Sequence, residues 1–174
     1  MLVESFEHNG HVVKIMQDSD AESPRQWDNL GTMVCSHSRY NLGDVQGTAD
    51  DVPDDAICLP LYLYDHSGIT MRCSPFSCPW DSGKVGVIYC ERSKIMKEFG
   101  CKRIGKKIKD RVIACLVAEV ETYDQYLRGE VYGYVIEDEE GNHLDSCYGF
   151  FGMDDVMSEA KSMAESIKVD SYAI

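Results

Sequence analysis

The chain has 174 residues, 44% of them apolar and 27% charged, which is typical of a single globular domain (residues 1–174) with one sizeable core. It contains no run of eighteen apolar residues, and residues 1–10 lack the basic flank and apolar core of a signal peptide, so we expect a cytoplasmic protein with no membrane contact. The net charge of −13 repels nucleic acid at long range, which argues against a protein whose whole surface binds DNA.

The first half of the chain predicts short strands separated by turns. Apolar and β-branched residues favour strands at 11–18 and 32–37, with a helical turn at 24–29 between them. Glycine, proline and four aspartates predict a mobile acidic loop at 45–57. Residues 59–64 and 69–73 predict a hairpin, 74–83 an ordered loop, and 85–90 the most deeply buried strand.

From Ser93 the hydrophobic period becomes helical. Ser93 is expected to cap a short helix, and Gly100 suits the left-handed position just past its end. A long amphipathic helix is predicted from about residue 105 to 128, where Gly129 closes it. Its apolar stripe consists of residues spaced three or four apart, namely Ile104, Ile108, Val112, Cys115, Leu116, Val120, Tyr123 and Leu127.

The last third predicts a second hairpin and a closing helix. Residues 130–137 and 143–151 are strand-like, with glycine and asparagine between them, and residues 153–168 are amphipathic with a helical period. The whole pattern predicts an α+β fold: a mostly antiparallel sheet built from hairpins, with the long helix and the C-terminal helix packed on one face.

Eight cysteines are spread through apolar and strand-like segments. A chain of this length does not need disulfides to hold a core, so we expect reduced thiols that are mostly buried.

Basic residues are concentrated in one stretch. Residues 92–111 hold nine of the seventeen Lys and Arg residues and only two acids, while the rest of the chain holds eight bases and 28 acids. The helical stripe places six cations on exposed faces, so they form a candidate nucleic-acid-binding set that would contact phosphates: Lys102, Arg103, Lys106, Lys107, Lys109 and Arg111. The same set could instead attract an acidic hairpin of a second copy and produce a homodimer.

Acidic residues are concentrated downstream of that stretch. Between Glu119 and Glu159 there are twelve acids and one base, Arg128. Carboxylates displayed at phosphate-like spacings can occupy the basic channel of a nucleic-acid-binding enzyme. The alternative is that the acids only serve solubility. The candidate partner-binding set is Glu119, Glu121, Asp124, Glu130, Glu137, Asp138, Glu139, Glu140 and Asp145.

Several polar side chains stand out in the predicted loops. His37, Asp65, His66 and Asp81 carry the ligand and base types of a metal-assisted hydrolase, if the loops bring them together. The plainer interpretation is that Asp44, Asp65 and Asp81 are turn residues and that Trp80 packs on the sheet edge. A zinc set from Cys35, His37, Cys73 and Cys78 lacks the usual Cys-x2-Cys spacing, and no cofactor motif occurs, so neither a metal nor a cofactor is predicted.

Several sequence segments that together span most of the chain are distinctive, at residues 27–34, 39–44, 59–68, 78–83, 119–129 and 131–134. They resemble a group of small acidic proteins carried by bacteriophages and mobile elements of gut bacteria. The resemblance implies a bacterial host cell and a role of the anti-CRISPR or antirestriction type. It implies no catalytic residues.

These observations lead to one functional hypothesis and two alternatives. We expect a non-enzymatic inhibitor that binds the nucleic-acid-binding surface of a host defence nuclease, such as a CRISPR effector or a restriction enzyme. It would bind through the acidic residues, with the basic face at residues 102–111 as a second contact. The first alternative is a metal-dependent hydrolase of a phosphate-containing substrate. The second is a nucleic-acid-binding protein that uses the basic helix at residues 102–111.

Overall fold

The computed structural model describes residues 1–167, which form nine strands and three α-helices. The strands are β1 (Leu2–His8), β2 (His11–Gln17), β3 (Thr32–Cys35), β4 (Val45–Gln46), β5 (Ile57–Asp65), β6 (Ile69–Arg72), β7 (Ser82–Cys90), β8 (Val131–Glu137) and β9 (His143–Phe151). The helices are α1 (Arg92–Glu98), α2 (Lys106–Leu127) and α3 (Met153–Ser166). They belong to two compact units, a smaller one from residues 1–22 and 129–167 and a larger one from residues 23–128.

The smaller unit is a four-stranded antiparallel sheet with one helix. The strand order is β1-β2-β8-β9, and Val13 pairs with Ile136 while Ile15 pairs with Tyr134. These four side chains are buried together with the apolar side of α3. The alternate residues of the strands and the residues on one face of the helix therefore form one core. Strands β2 and β8 are neighbours in this sheet, although residues 23–128 separate them in sequence. The larger unit is therefore an insertion in the smaller one.

The larger unit is a five-stranded sheet with α2 packed against it. The order is β4-β3-β7-β5-β6, antiparallel except for the short parallel pair β3–β4. The buried face of α2 consists of Val112, Leu116, Val120 and Tyr123. A Cβ on Gly31 would lie 2.5 Å from the Leu116 side chain, so this glycine permits close packing in the core.

The α+β class is confirmed, as are the predicted strands and the long helix. The single predicted sheet is in fact two sheets, each with its own helix and core. The prediction of one domain concerns how the two units behave together and stays a prediction. Within the described part of the chain, no helix is long and apolar enough to cross a bilayer.

Some local predictions were wrong. Strand β1 was missed because its polar residues and edge position leave it weakly patterned. Ser93 does not cap α1, since the N-cap is Glu91 and makes no side-chain cap bond. Gly100 and Gly129 do have the left-handed conformation expected after α1 and α2. Lys168, the predicted end of the last helix, lies outside the described residues.

The cysteines also differ from expectation, while the mobility of the acidic loop stays a prediction. All eight thiols are free, but only Cys35 and Cys90 are buried, and Cys115 on the predicted apolar stripe is exposed. Residues 45–57 contain β4 and a 3-10 turn at Ala49–Asp51, which Thr48 and Asp51 close with a capping box. This segment therefore has local structure of its own.

Candidate functional site

Charge is divided unequally between the two units. Residues 23–128 contain 14 basic and 14 acidic side chains. Of the chain's 17 bases and 30 acids, three bases and 16 acids therefore remain for residues 1–22 and 129–174, so these carry the entire net charge of −13. The smaller unit is the acidic part of the molecule.

Both hairpin turns of the smaller unit lie at the same end of its sheet. Val12 pairs with Glu7 on one side and Glu137 on the other, which places the β1–β2 turn beside the β8–β9 turn. Glu7 and Glu139 line one shallow pocket there, and Glu140 is exposed nearby in sequence. We call Glu7, Glu139 and Glu140 the acidic end. Glu7 was absent from the predicted set because β1 was not predicted.

Asp138 organises the β8–β9 turn. Its Oδ1 accepts hydrogen bonds from the backbone N–H of Asn142 (2.7 Å) and of Glu140 (3.0 Å), and its Oδ2 accepts one from the Asn142 side chain (2.8 Å). These bonds hold the pKa of Asp138 below its usual value, the side-chain bond from Asn142 contributing most. Asp138 therefore fixes the backbone that displays Glu139 and Glu140.

Two further predicted partner residues of the smaller unit are used internally. Glu137 forms an ion pair of 2.6 Å with Lys14, and Asp145 accepts a hydrogen bond of 3.0 Å from the Tyr134 hydroxyl. Burial, and then this bond to Asp145, raise the pKa of Tyr134. Glu130 is half-buried just before β8. Glu137 and Asp145 therefore support the sheet and are less available to a partner than the acidic end.

In the larger unit, Glu119 and Asp124 lie on α2 with their side chains largely buried. Glu119 accepts hydrogen bonds from the backbone N–H groups of Leu30 and Gly31 and pairs with Arg25 at 3.0 Å. Asp124 accepts bonds from the Thr70 hydroxyl and the Met71 N–H. Glu121 of the predicted set is exposed on the same helix.

Arg25 connects several of these groups. Its side chain is only 5% exposed and reaches Asp44 (2.6 Å), Glu119 and the Gly31 carbonyl (2.7 Å). Burial lowers the pKa of Arg25, but the hydrogen bonds with Asp44 and Glu119 outweigh it and raise the pKa overall. Asp44, expected to be a turn residue, is instead the partner of a buried arginine.

The six predicted nucleic-acid-binding cations are all exposed in the larger unit. Within residues 1–167 none of them forms an ion pair, although the Arg111 guanidinium lies 5.0 Å from the centre of the Phe99 ring. Helix α2 has no acidic residue in its first turn. We call this set the basic surface: Lys102, Arg103, Lys106, Lys107, Lys109 and Arg111.

The predicted hydrolase residues come from three loops that meet in the larger unit. His37, Asp65 and Asp81 line one cleft of about 360 Å³, and His66 Nδ1 lies 3.4 Å from Asp81 Oδ2. Asp65 also pairs with Arg39 at 2.5 Å. Trp80, expected to pack on the sheet edge, is 91% exposed at the same cleft. We call it the Trp80 cleft.

This convergence does not produce a metal-binding group. Among the described residues, no three His, Cys, Asp or Glu side chains are grouped so that they could hold a metal ion. That finding covers both the hydrolase residues and the set of Cys35, His37, Cys73 and Cys78. The Asp65 carboxylate is paired with Arg39 and the Asp81 carboxylate lies beside His66, so both positions are explained without a metal.

Comparison with known proteins gives no relative from which to transfer a function. No family model, no curated protein and no solved structure matches the chain. The resemblance to small acidic phage proteins therefore stays a prediction based on short sequence segments alone.

Proposed function

We propose that the protein is a non-enzymatic inhibitor of a host defence nuclease and that it binds the nuclease's nucleic-acid-binding surface with its acidic unit. The observation that supports this most directly is the charge division: the whole net charge of −13 falls outside residues 23–128. The acidic end is the contact that we favour, because Glu7, Glu139 and Glu140 are exposed, whereas Glu137 and Asp145 are engaged in internal bonds.

Electrostatic complementarity is the physical basis of this binding. A channel that binds nucleic acid is lined with cations, and a negatively charged protein approaches it faster than a neutral one does. Carboxylates held on adjacent hairpins lose little conformational freedom on binding, because Asp138 already fixes the turn that displays Glu139 and Glu140. Such an association weakens as salt rises.

Cleavage assays with purified defence nucleases test the proposal. A triple variant, Glu7→Gln with Glu139→Gln and Glu140→Gln, should lose inhibition, with a larger loss at low ionic strength where screening is weak. The matched control is Asp54→Asn with Asp55→Asn, which removes exposed carboxylates from the larger unit and should inhibit like the parent. A panel of CRISPR effectors and restriction enzymes that is neither bound nor inhibited at any salt concentration would rule the proposal out.

The basic surface favours a second candidate function, direct binding of nucleic acid. Cations at the N-terminal end of a helix oppose the helix macrodipole, so Lys106, Lys107 and Lys109 do not serve the stability of α2. Exposed cations with no acidic partner are suited to phosphate contacts that release counterions.

A salt titration distinguishes this candidate from inhibition by the acidic unit. If the basic surface binds DNA, Lys106→Ala with Lys107→Ala should reduce the slope of log K against log salt by about 0.9 for each phosphate that the variant no longer neutralises. The triple variant of the acidic end should bind DNA at least as well as the parent. Equal slopes for the parent and the lysine variant would exclude this function.

A further inference from the structure

The Trp80 cleft contains an aromatic side chain that the fold leaves uncovered. Trp80 is 91% exposed, the most exposed of the large apolar side chains among residues 1–167. An indole contributes a large apolar surface, and leaving it in water forgoes the stabilisation that burial would give. Neither core needs Trp80, so its position calls for another explanation.

The backbone that carries Trp80 is held in place on both sides. The Asp81 carbonyl accepts a hydrogen bond from the Asp65 N–H (2.8 Å), and the Asp81 carboxylate lies 3.4 Å from His66. The Ser82 hydroxyl donates to the Cys78 carbonyl at 2.5 Å. The indole is therefore presented from a fixed loop, which lowers the entropy cost of binding a ligand against it.

The rest of the cleft is polar and contains two cations with different roles. Arg39 is neutralised by Asp65 at 2.5 Å. Lys84, by contrast, is exposed on β7 and forms no ion pair within the described chain. Ser36, Ser38 and His37 add hydrogen-bonding groups to the lining. The volume of about 360 Å³ lies in the range of small-molecule sites.

We propose that the Trp80 cleft binds a nucleotide, either free or as part of a single strand, with the base stacked on Trp80 and the phosphate paired with Lys84. Stacking on an exposed aromatic ring accepts any base, because every base has a π-face. The unpaired ammonium of Lys84 supplies the charge for the phosphate. This site lies in the larger unit and is independent of the acidic end.

Tryptophan fluorescence can report on the cleft directly. The chain has two tryptophans, so Trp27→Phe leaves Trp80 as the only reporter. We expect AMP to quench this variant saturably, adenosine to bind more weakly, and ribose 5-phosphate, which lacks a base, to cause no quenching. A short oligo(dA) that binds more tightly than AMP would identify a strand as the source of the nucleotide, and the reverse order a free nucleotide.

Two substitutions separate the roles of base and phosphate, with binding measured by calorimetry. Trp80→Ala should weaken AMP binding by about 5- to 150-fold, the range found when a stacked aromatic is removed. Lys84→Ala should weaken binding of AMP but not of adenosine, and Lys97→Ala, an exposed lysine outside the cleft, should change neither. The proposal is overturned if AMP and oligo(dA) do not bind at millimolar concentration, if Trp80→Ala binds normally, or if a disaccharide quenches Trp80 and AMP does not.

Discussion

Arg25 shows how much of the larger unit depends on one side chain. Its guanidinium joins the loop before β3, Asp44 after β3 and Glu119 on α2. Arg25→Ala should lower the free energy of unfolding by roughly 3–5 kcal/mol, because it leaves largely buried carboxylates without their counter-charge. Urea denaturation followed by circular dichroism measures this loss.

The control for Arg25 is Arg92→Ala, which removes an exposed arginine and should change the free energy of unfolding by less than about 0.5 kcal/mol. Equal midpoints for the two variants would mean that the Arg25 network contributes no more than a surface charge.

The thiols differ in reactivity because they differ in burial. Burial first, and the Asp44 charge second, raise the pKa of Cys35 to about 12, so at pH 8 it is a protonated thiol and a poor nucleophile. Iodoacetamide at pH 8 should modify exposed Cys58, Cys115 and Cys147 of the folded protein and leave Cys35 unmodified. Mass spectrometry of the peptides gives the pattern, and in denaturant all eight should react. Early modification of Cys35 would contradict its burial.

At the level of elements, α2 provides a comparison of two neighbouring positions. Leu116 is fully buried against the sheet, whereas Cys115 is exposed. Leu116→Ala should therefore cost about 2–5 kcal/mol of unfolding free energy through reduced burial and a cavity. Cys115→Ala, one residue away, should cost less than about 0.5 kcal/mol. Urea denaturation midpoints measure both losses. If the helix were rotated by one residue, Cys115→Ala would lower the midpoint more than Leu116→Ala does.

The β8–β9 turn should respond to pH through Asp138. Its pKa is lowered in the folded state, so the ionised carboxylate stabilises the fold above the unfolded pKa, and this contribution disappears as pH falls through the folded pKa. Asp138→Ala should lower Tm at pH 7, and the difference from the parent should shrink below about pH 4. A Tm difference that stays constant down to pH 2 would show that another interaction of Asp138 is responsible.

Helices and strands are predictable from the sequence where the local hydrophobic pattern agrees with the burial of the side chains in the folded protein. The stripe of α2 and the alternation in β2 and β8 follow directly from burial of one face. The pattern could not separate Cys115 from its buried neighbours, since thiols are compatible with either environment. It also missed β1, whose pairing with β2 depends on a partner more than on its own composition.

For the whole molecule, the two units differ in charge enough to be tested separately. Residues 23–128 contain equal numbers of acids and bases, whereas the intact chain has a sequence pI near 4.7. A fragment of residues 23–128 should fold cooperatively and focus at a clearly higher pH than the full chain. Calorimetry and isoelectric focusing check both points. A fragment that stays unfolded would instead support the prediction of one indivisible domain.

The sequence predicts which types of residue form the candidate sites better than it predicts where those residues lie in the fold. The sequence pattern indicates His37, Asp65 and Asp81, which do meet at one cleft, but it predicts a structural role for Trp80 that the exposure of this side chain contradicts. It also groups Glu119 and Asp124 with the hairpin acids, although both hold α2 to other segments of the larger unit. Long-range pairing decides which carboxylates remain free, and spacing along the chain does not encode it.

The insertion of one unit into the other has a consequence for synthesis on the ribosome. Strand β2 cannot pair with β8 until the ribosome has made all of residues 23–128. Until then β1 and β2 form an isolated hairpin, which is only marginally stable in water. Since domains form as units while the nascent chain emerges, the neutral unit can complete its core first. A premature stop within β8 would then release a chain whose larger unit is folded but which lacks Glu139 and Glu140 of the acidic end.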